Sequence, residues 1–315
     1  MKKIAYVTGC LGFIGGYVTK LLLDKGFYII GVDKITNVSY LPRLEEFNKY
    51  PNFTFSRQDI NDIENLLDCD YVINTAAETH VGNSIVQAKD FVSSNINGVY
   101  NILELIKNFK REGGKPTLIH FSTDEVYGDI DVGSHTENDL LKPSNPYSST
   151  KAAADMLVCA WARTHAIPYV ILRPTNNYGI YQYVEKLIPK TCKYLHLERK
   201  IPLHQNGTPK RCWLHAADTA GAVLKVIESD SLNKIYNISG NYEDSNLNIV
   251  KKIIKLYHQS DDYEKFLDLS YDRPGQDTRY SVDDSKLRGI KWDNEKHFDL
   301  ELANIVDFYK NNFIW

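Results

Sequence analysis

The sequence predicts a doubly wound parallel α/β sheet, and three observations carry that prediction. Short apolar runs rich in Val, Ile, Tyr and Phe alternate with helical periods through the first half of the chain. The runs are continuously apolar, as strands covered on both faces are. A glycine-rich turn joins the first run to the first helical segment.

Each element follows in order. "KIAYVTG" reads as the first strand, "FIGGYVTKLLLDKG" as a helix stopped by Gly26, and "YIIGVD" as the second strand. "NFTFSRQDI" and "YVINTAA" read as further strands. In "AKDFVSSNINGVYNILELIKNFKREGG", Val92, Ile96, Val99, Leu103 and Ile106 recur at helical spacing, which predicts one long helix. "TLIHFST" is a strand, "PYSSTKAAADMLVCAWARTH" a helix opened by a proline-bearing turn, and "YVILRP" another strand. Beyond Pro174 the alternation loosens into shorter helices and loops such as "HQNGTPKR" and "YDRPGQDTRY". The expected division is residues 1–175 for the sheet and 176–315 for a smaller lobe. Segments near 212–240, around "CWLHAADTAGAVLKVI", return to the sheet.

Bulk composition narrows the function. The 315 residues are 43% hydrophobic and 24% charged, and the net charge is −3. That balance gives no electrostatic case for nucleic acid or an anionic membrane. No stretch approaches the roughly 18 apolar residues of a membrane span. Met1-Lys2-Lys3 and the apolar run after it look faintly like a signal peptide, but Gly9, Gly12, Gly15 and Gly16 interrupt it and no cleavage site follows. The five cysteines are scattered without a CxxC pair, which predicts reduced thiols in a cytoplasm and no zinc site or other metal centre.

Gly9, Gly12 and Gly15 stand at GxxGxxG spacing after a strand and at the start of a helix. Glycine lets the backbone approach a pyrophosphate, and the helix N-terminus offers unbonded N–H groups. Phe13 and Ile14 lie inside this turn and are counted with the cofactor contacts. Asp33 ends the next strand, placed to take a ribose diol and to repel a 2′-phosphate. NAD is therefore the expected cofactor, with Lys34 softening the preference over NADP. Asp59 and Ile60 end a strand where adenine would lie, and Ala76, Ala77 and Glu78 fall where a backbone passes close to a cofactor. Together these features predict a Rossmann-type sheet with a smaller C-terminal substrate-binding lobe.

Tyr147 and Lys151 stand four apart in "YSSTK", so one helix face carries both. An ammonium beside a phenol stabilises the phenolate, which can take the proton of an alcohol as its carbon loses hydride. Both residues are counted with the catalytic and the cofactor-binding sets.

The chain resembles the extended short-chain dehydrogenase/reductase family, and within it the nucleotide-sugar 4,6-dehydratases. The resemblance runs through "TGCLGFIGG", "VDKIT", "AAETHV", "FSTDEVYG", "PYSSTKAAAD", "LRPTNNYG", "EKLIPK", "RCWLHAAD", "YNISG" and "DRPGQDTRYSVD". It implies an NDP-hexose substrate, dTDP-glucose foremost, that is oxidised at C4, loses water across C5 and C6, and is reduced at C6. It implies Glu125 as the base at C5, Asp124 as the acid at O6, and Thr123 bonded to the C4 oxygen beside Tyr147. Mutual repulsion of adjacent carboxylates helps keep one protonated near neutral pH. The same two acids would also suit the cap and first turn of a helix. For the substrate the resemblance implies Ser84, Asn176, Glu185, Lys186, Arg211 and Asn246, with Arg273 or Arg279 assisting, and it puts Asn177 near nicotinamide. Departures from the family pattern are Gln276 for histidine, Gly82-Asn83 for Asp-Arg, and Ile180 for proline. The alternative within the family is C4 chemistry alone, as a 4-epimerase or 4-dehydrogenase. A dinucleotide-sensing protein without turnover would not need Thr123, Asp124, Glu125, Tyr147 and Lys151 together. Apolar residues on helices 89–110 and 147–165, including Val92, Ile96, Met156, Leu157 and Trp161, predict a homodimer through paired helices.

Overall fold

A computed structural model describes residues 2–270 and 277–312. Among them are strands β1 (Ile4–Thr8), β2 (Tyr28–Asp33), β3 (Phe53–Arg57), β4 (Tyr71–Asn74), β5 (Thr117–Phe121), β6 (Tyr169–Pro174) and β7 (Asn176–Tyr178). They continue with β8 (Ile201–Pro202), β9 (Lys210–His215), β10 (Lys234–Ile238), β11 (Tyr242–Ser245) and β12 (Leu267–Asp268). The main sheet has seven strands in the order β10-β6-β5-β4-β1-β2-β3. Every neighbouring pair in it is parallel. The order reverses between β1 and β4, and such a switch point opens a crevice at the carboxyl ends of the strands. The expected α/β class with flanking helices is therefore the observed one.

The strands form because both of their faces are covered. Ala5, Val7, Ile29, Ile73, Ile119 and Leu172 pack on one side under the helices Phe13–Asp24 and Ala216–Glu228. Tyr6, Ile30, Val72, Leu118 and Ile171 pack on the other under the helices Gly98–Arg111 and Pro146–His165. The chain returns to the sheet through Ala216–Glu228 and β10, which lies against β6. Strand β9, just before, belongs to a separate three-stranded sheet, β11-β9-β7. A third apolar cluster lies in the C-terminal lobe, with Ile188, Ile249, Ile253, Leu302 and Ile305 from the helices Leu187–His196, Asn246–His258 and Phe298–Asn311.

One predicted element is interrupted. The long helix near residue 95 runs as Lys89–Val92, a π turn over Ser93–Asn97, and Gly98–Arg111. Single π turns inside α-helices are frequent at functional sites. Here the turn buries Asn95, whose amide accepts from Glu78 N–H at 2.9 Å and donates to Glu78 O at 3.0 Å and Thr150 Oγ1 at 2.9 Å. One side chain thus ties the loop after β4 to the helix Pro146–His165.

Candidate active site

The cleft lies across the carboxyl ends of β1, β2, β4, β5 and β6. Its first wall is the glycine turn. Gly9 has φ +69°, a left-handed conformation that favours glycine, and its N–H donates to Val32 O at 2.8 Å. A Cβ on Gly15 would lie 2.1 Å from Gly9 O, so only glycine fits there. Gly12 caps the helix Phe13–Asp24 with no side-chain bond to its first turn, leaving those N–H groups open to a phosphate. Arg43 braces the turn from behind. It is buried and donates to Gly12 O and to Phe13 O, the latter at 3.0 Å. Sequence reading missed it, because a surface-type cation carries no local sign of being buried.

Asp33 is buried at the end of β2. Its carboxylate accepts from Leu11 N–H at 3.1 Å, Ile35 N–H at 2.8 Å and Ser39 Oγ at 2.9 Å, which fix it facing the cleft. Lys34 lies 3.5 Å from both Asp59 and Glu78 and so is paired away from the position beyond Asp33. Gly9, Gly12, Phe13, Ile14, Gly15, Asp33, Asp59, Ile60, Ala76, Ala77, Glu78 and Asn177 all line one continuous cavity. A cradle free of side chains, open helix N–H groups and an oriented carboxylate fit an NAD-type dinucleotide.

The same cavity is lined by Thr123, Asp124, Glu125, Tyr147, Asn176, Glu185 and Lys186. Thr123 ends the segment after β5 and caps the short turn Asp124–Tyr127, its Oγ1 accepting from Glu125 N–H at 3.3 Å and donating to Asp124 Oδ1 at 3.1 Å. The acids therefore do sit in a first turn, but in one that faces the cavity. Asn145 caps the helix Pro146–His165 by accepting from Ser148 N–H at 2.9 Å, and its amide also donates to Glu125 Oε2 at 3.4 Å. Asp124 is pushed up to about 7, first by burial and then by the charge of Glu125. Burial raises Glu125 too, against the lowering pull of Arg211. Asp124 Oδ2 and Asn176 Oδ1 are buried without a protein partner, and both residues line the cavity. Orphaned polar atoms around a cleft are what a polar ligand satisfies.

Lys151 stands behind Tyr147 rather than in the cavity wall, and its ammonium donates to Phe121 O. Burial lowers Lys151 to about 8, and Asp155 one turn on opposes that. The expectation of an acidified phenol is corrected here. Tyr147 is held well above the ordinary phenol range by burial and by the charges of Glu125 and Asp124, against a lowering hydrogen bond to Thr123. Ser84 is a second correction. It is fully buried, donates to Val81 O at 2.7 Å and accepts from Tyr147 N–H at 3.2 Å, so it supports the helix instead of facing the cavity.

The remaining predicted cations have protein partners. Arg211 is buried and donates to the carbonyls of Lys210 at 2.7 Å and Asp277 at 3.0 Å. Arg279 pairs with Glu243 at 2.7 Å. Asn246 begins the helix Asn246–His258 and donates its N–H to Pro209 O at 2.9 Å. Lys186 reaches Thr79 O at 3.0 Å and Glu185 at 3.2 Å along the cavity rim. Arg273 and Gln276 lie outside the described residues. Among the described residues, no helix is long and apolar enough to cross a membrane.

A glycine cradle at the switch point of a doubly wound sheet, continuous with a wall of phenol and carboxylates, defines a dinucleotide-binding cleft equipped for acid–base chemistry. The chain belongs to the GDP-mannose 4,6 dehydratase family, whose model matches residues 6–304. It is 37% identical over 329 residues to dTDP-glucose 4,6-dehydratase of Haemophilus influenzae, covering 97% of each chain. A solved dTDP-glucose 4,6-dehydratase from Streptomyces venezuelae, with NAD bound, matches with TM-score 0.91 and 32% identity, covering 98% of this chain and 97% of that one. UDP-glucuronic acid 4-epimerase from Bacillus cereus, in complex with UDP-glucuronic acid and NAD, also superposes with TM-score 0.91, at 25% identity, covering 98% and 99%.

Proposed function

We propose that the protein is an NAD-dependent nucleotide-sugar 4,6-dehydratase acting on an NDP-hexose, dTDP-glucose foremost, and yielding the 4-keto-6-deoxyhexose used in deoxysugar and cell-surface polysaccharide synthesis. One observation carries this reading. Asp124 and Glu125 are adjacent on the cavity wall, near Tyr147, and Asp124 is held at about 7. A C4 epimerase has no step that needs such an acid, whereas water elimination needs one at O6 and a base at C5.

Bound NAD would supply the acceptor for hydride from C4 and its donor to C6. The chain's residues do the rest. Tyr147, as the phenolate that the positive charge of bound NAD would favour against the raising effect of burial, takes the proton of the C4 hydroxyl, with Thr123 bonded to the same oxygen. The C4 ketone acidifies C5–H, and Glu125 removes that proton. Asp124, protonated near neutral pH, gives its proton to the departing O6 as water. Residues 1–175 carry the cofactor, and 176–315 mainly hold the sugar nucleotide through Asn176, Glu185 and Lys186. The redox pair Tyr147–Lys151 keeps its role through position, since Lys151 fixes the end of β5 that leads into Thr123.

A homodimer is the proposed assembly. Val86, Val92, Tyr100 and Met156 expose 88%, 41%, 48% and 52% of their surface along the helix Val81–Val86, the helical run 89–111 and the helix Pro146–His165. Unpaired apolar surface of this kind favours a partner helix pair. The five unbridged cysteines suit a cytoplasmic setting. The test is mass spectrometry of products with dTDP-, UDP- and GDP-hexoses offered in parallel. The expected product is lighter by one water, with the dTDP sugar preferred. Products of unchanged mass would support the 4-epimerase reading that the Bacillus cereus likeness favours.

A further inference from the structure

Glu125 has a second hydrogen-bonding route that leads away from the cavity. Its Oε2 lies 3.4 Å from the hydroxyl of Tyr280. That hydroxyl also donates to Asp277 Oδ2, so a single phenolic hydrogen stands between two carboxylates. Asp277 Oδ2 in turn accepts from Ser144 Oγ. Tyr280 and Asp277 are each 4% exposed, and neither lines the cavity. Ser144 is exposed. The series runs from the cavity wall through the protein to bulk water.

The phenol is held rigidly in this series. The guanidinium of Arg211 stacks 4.5 Å from the Tyr280 ring and donates to Asp277 O at 3.0 Å. Burial and the Glu125 charge hold the phenol far above its ordinary range, so it rests as a neutral hydroxyl. A neutral hydroxyl between two carboxylates can pass a proton only by receiving one as it gives another.

We propose that Tyr280 and Asp277 form a proton path that joins Glu125 to solvent at Ser144 while the cavity is filled by substrate. The proposal rests on Glu125 being the C5 base. Once Glu125 has taken the C5 proton, its carboxyl O–H gives that proton to the Tyr280 oxygen. The phenol's own proton passes to the Asp277 carboxylate, and from Asp277 it passes through the Ser144 hydroxyl to water. The reverse passage brings a solvent proton to Glu125. No bond to carbon and no oxidation state changes in this exchange. After C6 receives hydride, Glu125 returns a proton to C5, and that proton is solvent-derived.

The experiment is turnover of an unlabelled hexose nucleotide in D2O by Tyr280→Phe, with C5 deuterium per molecule of product read by mass spectrometry or NMR. Phenylalanine keeps the ring under Arg211 and removes only the hydroxyl. The expected result is C5 deuterium per product at least ~10-fold below the parent, since a positioned proton-transfer group is worth ~10²–10⁴-fold. The ratio is read on whatever product accumulates, so a slow variant still answers. Asp277→Asn, which keeps the phenol and removes the second acceptor, should lower the ratio likewise. A purely structural role would slow turnover and leave the ratio at the parent value, and that result would overturn the path. Glu125→Gln run alongside separates the two ideas. If it forms product at the parent rate, Glu125 is not the base and the underlying reading falls. If it is inactive while Tyr280→Phe keeps the parent ratio, only the path falls.

Discussion

Asp124→Asn should make the protein more stable at alkaline pH while removing its activity. Asp124 is 3% exposed, and burial together with the Glu125 charge holds its carboxyl at about 7, against an ordinary value of 3.8. The folded chain therefore keeps a proton that the unfolded chain has given up. The resulting stabilisation is complete below the unfolded value and is lost as pH rises through about 7. At about 1.4 kcal/mol per unit, a rise of roughly three units corresponds to about 4 kcal/mol, of which about 2 kcal/mol falls between about pH 5.5 and pH 8.5. Asparagine does not titrate. Its amide would also place a buried donor where Oδ2 now has no partner, costing about 1–3 kcal/mol. That cost is independent of pH and cancels in the comparison. Urea unfolding of parent and variant near pH 5.5 and pH 8.5 should show the difference moving by about 2 kcal/mol in favour of asparagine. A difference that stays constant, or moves toward the parent, would refute the raised carboxyl and the acid role built on it. By the same titration, water loss by the parent should fall about tenfold per pH unit above about 7.

Glu125→Gln should lower water loss by about 10²–10⁴-fold while NAD binding and C4 oxidation persist. Tyr147→Phe should abolish both C4 oxidation and water loss. Product yield measured beside C5 deuterium uptake separates the two, and elimination by Glu125→Gln at the parent rate would contradict the assignment. Gly15→Ala should weaken NAD by at least ~10-fold, about 1.4 kcal/mol, because the new Cβ would meet Gly9 O at 2.1 Å. Titration of NAD by protein fluorescence reads it, and unchanged affinity would exclude the glycine turn as the pyrophosphate site. Met156→Glu should shift the protein to monomer in light scattering at micromolar concentration, since a charge would be buried against the partner helices. A parent that is already monomeric would remove the basis for that expectation.

Features set by neighbours along the chain are legible in the sequence itself. The glycine turn, Asp33, the Thr123-Asp124-Glu125 run and the spacing of Tyr147 and Lys151 are local patterns, and the sheet follows from continuous apolar runs. What stays hidden depends on distant contacts. Tyr280 reaches Glu125 across 155 positions, and Ser84 meets the Tyr147 amide across 63. Arg43 under the glycine turn and Asn95 in its π turn look like surface residues in sequence, because their burial is decided by packing. The direction of the Tyr147 shift is also beyond local reading. Spacing shows the lysine, but burial and the two carboxylates raise the phenol, and the group that lowers it is Thr123.

In the proposed reaction one active site oxidises C4, eliminates water and reduces C6 without net consumption of cofactor. A dTDP-hexose carrying deuterium at C4 tests it most directly, with the position of the label in the product read by NMR. The expected product is a 4-keto sugar with the deuterium in its C6 methyl group. Deuterium remaining at C4 of a product that has kept all its oxygens would contradict it.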